Sequence, residues 1–222
     1  MTFFKKSDII RNMGRQIIRN FIVLEGIDGS GTTTLQKTVS RQLSQMNIPH
    51  RCDAEPTDST VGRRIRAMLK SGNPADPLFN TAIGALFSLD RAIHPYGQNG
   101  ITETIKKDCL VLCDRYLFST AAYQGLDGNR EDILSMNETF PLPEYLFFLD
   151  LPVRTAMERI EKRGNPKEVY ETVSYLERIA KSYRDVIDSF TGSGMKIITL
   201  DATLTPEILK DRLLDSLVLK TE

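Results

Sequence analysis

Phe21-Ile-Val-Leu-Glu-Gly-Ile-Asp-Gly-Ser-Gly-Thr-Thr-Thr34 is the stretch that decides the fold of this 222-residue chain. It opens with a short apolar run, Phe21 to Leu24, whose length and β-branched content predict a buried strand. Three glycines follow, and a segment with helical character begins at Thr33. A strand, a glycine-rich loop and a helix in that order predict a phosphate-binding loop of the form G-x-x-x-x-G-K-[ST].

The residues expected to bind phosphate are Gly26, Ile27, Asp28, Gly29, Ser30, Gly31, Thr32, Thr33 and Thr34. Glycines allow positive φ and turn backbone N–H groups inward as an anion nest. The helix N-terminus adds partial positive charge, and the Thr33 hydroxyl can ligate Mg²⁺. The lysine position holds Thr32, so the charge that would reach the β- and γ-phosphates is missing. The alternative is a glycine-rich turn that binds no ligand.

Composition predicts one α/β domain, because 41% of the residues are hydrophobic and 26% are charged. The formal net charge is zero, so no overall basic field indicates a nucleic acid or an acidic membrane as partner. No apolar run approaches the length that spans a bilayer. Three cysteines, Cys52, Cys109 and Cys113, lack a metal-binding spacing and favour buried thiols in a reducing cytoplasm.

The first 19 residues are predicted to be an N-terminal extension to a domain that covers residues 20–222. The extension is basic and lacks the long apolar core of a secretory signal. It is interpreted as a short amphipathic helix or a frayed segment, with Met13 as an alternative start.

Strand-like and helix-like patterns alternate along the chain. Strands are expected at 21–24, 50–54, 109–113, 145–149 and 196–200, and helices at 33–46, 61–70, 78–93, 153–162, 173–190 and 206–219, with another before 108. The alternation predicts a three-layer α/β/α sandwich around a parallel sheet of about five strands. Ligands of such sheets bind beyond the carboxyl ends of strands, where Glu25-Gly26, Glu55-Pro56, Asp114-Arg115 and Asp150 should share one rim.

Asp114-Arg115-Tyr116 directly follows the strand that ends at Cys113. An aspartate there can ligate Mg²⁺ directly or through water, and an arginine can bind a phosphate with two parallel hydrogen bonds. The alternative is a structural ion pair at a strand end. A phosphate-binding loop in the same sheet favours the ligand-binding interpretation.

Phe87 and Arg91 lie four residues apart on the long predicted helix and therefore share one face. An aromatic ring can stack on a nucleobase while an arginine one turn on bonds its edge, although phenylalanine at this spacing is more often core. His94 is interpreted as a surface or capping group with no role in the site.

Arg159 and Arg163 form a second pair at this spacing, just before Gly164-Asn-Pro166 ends the helix. Arginines on a segment that closes over a site can neutralise the charge that develops during phosphoryl transfer. The alternative is a solvated basic face that complements the C-terminal end of the helix.

In their order and spacing these motifs resemble the thymidylate kinase family of P-loop nucleoside monophosphate kinases, from about Asn20 to Leu219. The resemblance rests on the opening stretch and on Glu55-Pro56, Leu86–Arg91, Asp114–Tyr116 with Ser119, Ala122–Gly125, Leu149–Pro152 and Glu158–Ile160. It implies a kinase domain over 20–222 whose lid lies at about 163–171.

The implied reaction transfers the ATP γ-phosphoryl group to dTMP and gives dTDP, with Mg²⁺ held by Thr33 and Asp114, in a homodimer. The expected catalytic residues are Asp28, Arg115, Arg159 and Arg163, and the substrate-binding residues are Asp28, Glu55, Phe87, Arg91, Arg115, Ser119, Tyr123 and Gln124.

By resemblance, each substrate-binding position has a separate task. Asp28 touches the deoxyribose 3′-hydroxyl beside the acceptor phosphate, and Arg115 binds that phosphate. Phe87 stacks on thymine, whose carbonyl edge Arg91 bonds. Ser119 and Gln124 line the base pocket, and Tyr123 crowds the 2′ position.

The chain departs from the family pattern at Thr32, at Ala54 where bacterial members usually have arginine, and in the lid, whose usual arginine is absent. Losing such cations costs roughly 10²–10⁵ in rate. Arg159, Arg163 and Lys167 are candidate replacements, whereas Lys37 is expected to face elsewhere. Two alternatives therefore stay open: a kinase for another nucleotide or nucleoside, and a catalytically silent nucleotide-binding homologue.

Overall fold

The structure, a computed structural model, describes residues 14–126, 130–164 and 168–217. Its five strands form one parallel sheet in the order β2-β3-β1-β4-β5: β1 (Ile17–Gly26), β2 (His50–Ala54), β3 (Leu110–Asp114), β4 (Leu142–Asp150) and β5 (Lys196–Asp201). The helices of the described ranges are α1 (Thr32–Gln45), α2 (Thr60–Ser71), α3 (Pro77–Tyr96), α4 (Ile101–Ile105), α5 (Leu117–Tyr123), α6 (Arg130–Met136), α7 (Val153–Arg163), α8 (Val173–Ser189) and α9 (Pro206–Ser216). The predicted five-stranded parallel α/β sheet is confirmed.

The three central strands are apolar along most of their length because helices cover both faces of a parallel sheet. Every residue of β3 is buried, as are Phe21 to Gly26 in β1 and Tyr145 to Leu149 in β4. The edge strands β2 and β5 have several exposed residues. The glycine-rich loop therefore leaves the sheet at its central strand, where neighbouring strand ends flank it on both sides.

The start of the sheet differs from the prediction. β1 begins at Ile17, which pairs with Leu142, so the domain boundary predicted at residue 20 falls inside a strand. Asn20 has φ 62°, and the register against β4 shifts between Ile18 and Ile22. This irregularity, with the charged Arg19 beside it, breaks the apolar run from which the strand was predicted. Residues 17–19 of the predicted extension are thus strand rather than a helix or a frayed segment, and residues 1–13, with Met13, lie outside the described ranges.

Other differences are local. Cys113 is buried on β3, but Cys52 is exposed on β2, so the prediction of buried thiols is wrong for Cys52. The short helices α5 and α6 were not predicted. The last helix, predicted to reach Leu219, ends at Ser216, because the backbone of Leu217 is extended. None of the helices in the described ranges is long and apolar enough to cross a bilayer.

Two glycines of the loop have conformations that other residues rarely adopt. Gly29 has φ 82° and Gly31 has φ 99°. A Cβ atom on Gly29 would lie 2.6 Å from the carbonyl oxygen of Ala156, because α7 packs directly against the loop. Glycine at this position thus allows both the turn and the close approach of the helix that carries Arg159.

Candidate active site

One large cavity of about 1030 Å³ opens at the carboxyl end of the sheet. Ligand pockets are typically about 300–1,000 Å³, so this cavity lies at the upper end of that range. The predicted site residues that line it are Ile27, Asp28, Gly29, Ser30, Gly31, Thr32, Thr33, Thr34, Glu55, Phe87, Asp114, Arg115, Ser119, Tyr123, Gln124, Arg159 and Arg163. Gly26 and Arg91 are not among the lining residues. Asp150 ends β4 at this edge of the sheet, but it bonds to Arg184 and is not among the lining residues.

The glycine-rich loop leads into α1 with Gly31 as the N-cap, which has no side chain to occupy the first N–H groups of the helix. Such a helix end attracts anions. Ser30 Oγ is buried without a hydrogen-bond partner among the described residues. Thr32, at the lysine position, is buried and brings no charge. The loop thus offers hydrogen-bond donors to phosphate, but no cation of its own.

Thr33 and Asp114, the two residues predicted to ligate Mg²⁺, are in direct contact. Thr33 Oγ1 donates to Asp114 Oδ2, while Asp114 Oδ1 is buried with no partner in the described part of the chain. A hydroxyl and a carboxylate oxygen are hard ligands that suit Mg²⁺, which takes its remaining ligands from water and phosphates. The described ranges contain no group of three or more His, Cys, Asp or Glu side chains placed to form a metal cage.

Arg115 and Asp28 form an ion pair on the cavity wall, with 2.6 Å between Nη2 and Oδ1. The Tyr123 hydroxyl donates to Asp28 Oδ2 at 3.0 Å and accepts from the Asp28 N–H at 3.1 Å. Burial alone would lower the pKa of Arg115, but the nearby Tyr123 and Asp28 raise it well above its ordinary value. A permanent cation therefore faces the cavity.

A buried polar layer lies behind this pair. The Ser119 hydroxyl donates to Glu25 Oε2 at 2.5 Å, and the Tyr183 hydroxyl donates to the same oxygen at 2.8 Å. Burial raises the pKa of Glu25 to about 7 against the opposing effect of these hydrogen bonds. Ser119 lines the cavity as predicted, but its hydroxyl bonds to Glu25. Neither Glu25 nor Tyr183 was assigned a role from the sequence.

Arg91 is buried beside the cavity and does not line its wall. Its Nε and Nη2 donate to Glu55 Oε2 at 2.9 and 2.6 Å, and it also donates to Asn137 and Thr120. Its solvent-exposed fraction is 0%. In this structure Arg91 is thus directed at Glu55 and not at the cavity, and its contact with a base stays a prediction. Phe87 and Gln124 line the cavity with Arg115, so they retain the positions predicted for a base pocket.

His94 is not the surface group that the sequence indicated. Only 8% of its side chain is exposed, and its ring bridges two carboxylates: Nδ1 lies 3.0 Å from Glu55 Oε1 and Nε2 lies 2.9 Å from Asp53 Oδ2. Two acceptors require both ring nitrogens to carry protons. Burial lowers the pKa of His94, but Asp53 and Glu55 outweigh it and raise the pKa to about 9.

The two arginines of α7 have different surroundings. Arg159 donates only to backbone carbonyls, from Nη1 to Gly29 and Ser30 at 3.4 and 3.3 Å and from Nη2 to Ala202 at 2.9 Å. Arg163 instead pairs with the buried carboxylate of Glu171. Within the described residues no carboxylate pairs with Arg159, which therefore brings positive charge to the loop, whereas the charge of Arg163 is neutralised by Glu171. Lys167 lies outside the described residues, and Lys37, expected to face elsewhere, lines the cavity.

The segment after α7 is attached to the opposite wall of the cavity. The Val169 N–H donates to the Leu69 carbonyl at 3.0 Å, and the Tyr170 hydroxyl donates to Asn80 Oδ1. Tyr170 is 2% exposed and lines the cavity together with Glu168. In the described part of the predicted lid, this segment thus lies closed against α2 and α3.

Comparison with known proteins agrees with this arrangement. The family model described as thymidylate kinase matches residues 24–213. A Treponema pallidum (strain Nichols) protein named "Putative thymidylate kinase" is 36% identical over 203 residues, which cover 90% of this chain and 96% of that protein. The thymidylate kinase of Leptospira interrogans serovar copenhageni (strain Fiocruz L1-130) is 34% identical over 77% of this chain and 83% of its own length. One from Leptospira borgpetersenii serovar Hardjo-bovis (strain L550) is 37% identical over 77% and 82%.

The histidine bridge predicts a specific dependence of stability on pH. The folded pKa of His94, about 9, exceeds the ordinary value of 6.5, so the stabilisation is complete below pH 6.5 and is lost as the pH rises through 9. The shift corresponds to about 3 kcal/mol. Replacing His94 with glutamine (H94Q) keeps hydrogen-bonding capacity but removes the charge.

Urea unfolding of both proteins across this pH range measures the effect. We expect the free energy of unfolding of the wild type to fall by about 3 kcal/mol more than that of H94Q between pH 6.5 and a pH above 9. Parallel curves for the two proteins would show that His94 is not a buried cation.

Proposed function

This chain belongs to the thymidylate kinase family, and on that basis we propose that it transfers the γ-phosphoryl group of ATP to dTMP and releases dTDP. The observation that carries the proposal is the Arg115–Asp28 ion pair, which lines the same cavity as the glycine-rich loop. One cavity then contains an anion nest for a donor and a fixed cation for an acceptor phosphate. We place the reaction in the cytoplasm, where ATP is available and the three free cysteines stay reduced.

On the acceptor side, Arg115 is the phosphate ligand. Its guanidinium is planar and permanently charged, and it already bonds to a carboxylate, so a phosphate oxygen can take the same kind of contact. Asp28 lies next to it and is the partner for the sugar 3′-hydroxyl. Tyr123 is fixed by two hydrogen bonds to Asp28, so its ring stands rigidly beside the sugar.

Phe87 and Gln124 supply the walls for the base. Phe87 is 9% exposed and packs on Ile65 and Ile83 between α2 and α3, which holds its ring while one face borders the cavity. Arg91 acts behind this wall by fixing Glu55, which does line the cavity. Thymine selectivity in this proposal depends on Phe87 and Gln124 rather than on direct contact with Arg91.

On the donor side, the loop and the start of α1 hold the ATP phosphates. Thr33 and the free oxygen of Asp114 would hold Mg²⁺, which neutralises phosphate charge when bound. Transfer needs little covalent chemistry from the protein, because the two phosphates need only be aligned and their charge stabilised. Asp28 and Arg115 on one side and the loop N–H groups on the other perform this alignment.

A coupled assay of ADP release with Mg-ATP and each of dTMP, dUMP, CMP and AMP tests the proposal. We expect turnover confined to dTMP and its close relatives. Turnover on another monophosphate would support a different acceptor. This alternative stays open because Arg91 does not line the cavity where it would contact thymine. Binding of dTMP by calorimetry without any turnover would indicate a silent homologue, which the missing loop lysine motivates.

Arg159 replaces the missing lysine in this proposal. It is the one α7 arginine whose described contacts are all to carbonyl groups, and Nη1 lies 3.9 Å from the position of a Cβ on Gly31. Bound phosphate would meet this charge beside the loop. Arg163 is held by Glu171 and is proposed to act through the segment that it anchors.

Introducing lysine at position 32 tests whether Arg159 compensates. We expect T32K to bind ATP roughly tenfold more tightly, since one charge-assisted hydrogen bond is worth about 1.5–3 kcal/mol. Arg159→Ala should lower kcat/KM by roughly 10²-fold or more in the wild type and by clearly less in T32K. Steady-state kinetics of the wild type, T32K, Arg159→Ala and the double variant measures how far the two substitutions depend on each other.

Arg154→Ala is the matched control, because Arg154 lies on the same helix, is 92% exposed and forms an ion pair with Glu158. Its activity should equal that of the wild type. Equal losses from Arg159→Ala in both backgrounds would contradict compensation by Arg159. Unchanged ATP affinity and unchanged turnover in T32K would show that another group already occupies the lysine position.

We propose that a second copy of this chain covers α3. An exposed apolar stripe runs along this helix with alternate spacings of four and three residues: Leu78, Ala82, Ala85, Leu89, Ala92 and Tyr96. Apolar residues at this spacing form the contact line between paired helices. When a helix packs on its own copy about a two-fold axis, the same residues meet on both sides of the interface. Phe87 and Arg91 are buried on the face of the same helix turned toward the domain.

Leu89→Asp should convert the dimer to a monomer, since Leu89 is 52% exposed and its replacement leaves the domain core intact. Sedimentation velocity at several protein concentrations measures the change. Ile208→Asp on α9, which is 42% exposed and outside the stripe, is the control and should stay dimeric. A wild-type monomer at all concentrations would refute the interface.

A further inference from the structure

Tyr183 is a buried hydroxyl group that joins the cavity arginine to a buried carboxylate. It lies on α8 with 0% of its surface exposed, far along the chain from the other site residues. Its hydroxyl donates to Glu25 Oε2 at 2.8 Å and accepts from Arg115 Nη1 at 3.1 Å, with Ser119 Oγ 2.7 Å away. A phenylalanine would fill the same space, so core packing does not explain the hydroxyl.

Glu25 determines the direction of this hydroxyl. Its Oε1 accepts from the backbone N–H groups of Tyr116 and Ser119 at 2.8 and 3.2 Å, which caps the start of α5. Its Oε2 accepts from the hydroxyls of Ser119 and Tyr183. In its ionised form Glu25 only accepts, so the Tyr183 proton then points to Glu25 and an oxygen lone pair is left for Arg115.

Arg115 needs such support. Its backbone has φ 72°, a conformation that is unfavourable for a residue with a side chain. Its Nη1 is held by the Gly26 carbonyl, Ser119 Oγ and Tyr183, at 3.1, 3.4 and 3.1 Å, while Nη2 bonds to Asp28. One end of the guanidinium is thus anchored in the buried layer, and the other is presented on the cavity wall.

We propose that Tyr183 and Glu25 are positioning residues that orient the Arg115 guanidinium toward the acceptor phosphate. The inference rests on the proposed function, which makes Arg115 the phosphate ligand. Glu25 fixes the Tyr183 hydroxyl and the chain that follows Arg115, and the hydroxyl fixes Nη1. The tyrosine ring is itself held by Tyr123 and Phe148, whose ring centroids lie 5.9 and 5.6 Å away.

The test compares two ligands that differ only in the phosphate. Calorimetry gives the dissociation constants of dTMP and thymidine for the wild type and Tyr183→Phe. We expect Tyr183→Phe to weaken dTMP binding about fivefold, the factor that corresponds to one hydrogen bond, and to leave thymidine binding unchanged. In steady-state kinetics the KM for dTMP should rise while the KM for ATP stays the same.

Two further variants make the comparison specific. Tyr145→Phe removes the hydroxyl of another buried tyrosine, which lies on β4 away from the cavity and accepts from Lys196 at 2.7 Å. This variant should bind both ligands as the wild type does. Glu25→Gln should share the selective loss of dTMP, because an amide cannot accept all four hydrogen bonds.

Equal weakening of dTMP and thymidine by Tyr183→Phe would show a general structural role and overturn the inference, as would unchanged binding of both. A wild-type protein that binds neither ligand would overturn the proposed function itself and this inference with it. Weaker binding of dTMP but not of thymidine by Tyr183→Phe, with normal binding of both ligands by the wild type, supports the proposed function and this inference.

Discussion

Buried charge must be paired, and this constraint shapes the rim of the sheet. Two glutamates at the carboxyl ends of β1 and β2, Glu25 and Glu55, are 0% and 4% exposed. An isolated carboxylate is very costly to bury, so each must be surrounded by donors. Glu55 is met by Arg91 and His94, and Glu25 by hydroxyls and backbone N–H groups. The partners of both glutamates come from helices, which are thereby fixed relative to the strands.

The result is a site whose side chains are aligned by contacts within the chain. Arg115 and Asp28 hold each other in an ion pair, and the Tyr123 hydroxyl donates to the Asp28 carboxylate. Prearranged dipoles and charges of this kind are the usual means by which proteins stabilise a charged transition state. Family membership and geometry thus lead to the same description, in which the protein contributes alignment and charge rather than covalent chemistry.

The sequence allowed the sheet, the loop and the pair of Asp114 and Arg115 to be predicted because their signals are local. An apolar run ending in glycines or in Asp-Arg identifies a strand end within a few residues. Tyr183 and His94 had no such signal, because their partners lie 158 and about 40 positions away and only the fold brings them together. Arg91 was assigned to the ligand because helical spacing reveals a shared face, but not which carboxylate lies opposite. Arg159 and Arg163 were both predicted near the phosphates. Only the structure distinguishes them, because the sequence does not show that Glu171 pairs with Arg163.

The closed segment around Val169 and Tyr170 has a consequence for the entropy of binding. Its backbone bond to Leu69 and the buried contact of Tyr170 with Asn80 are made within the chain itself. Ordering a flexible loop on association typically consumes part of the interaction energy. Here contacts within the chain restrain the segment, so a nucleotide has less conformational freedom of the cavity wall to restrict. More of its contact energy then remains available as affinity.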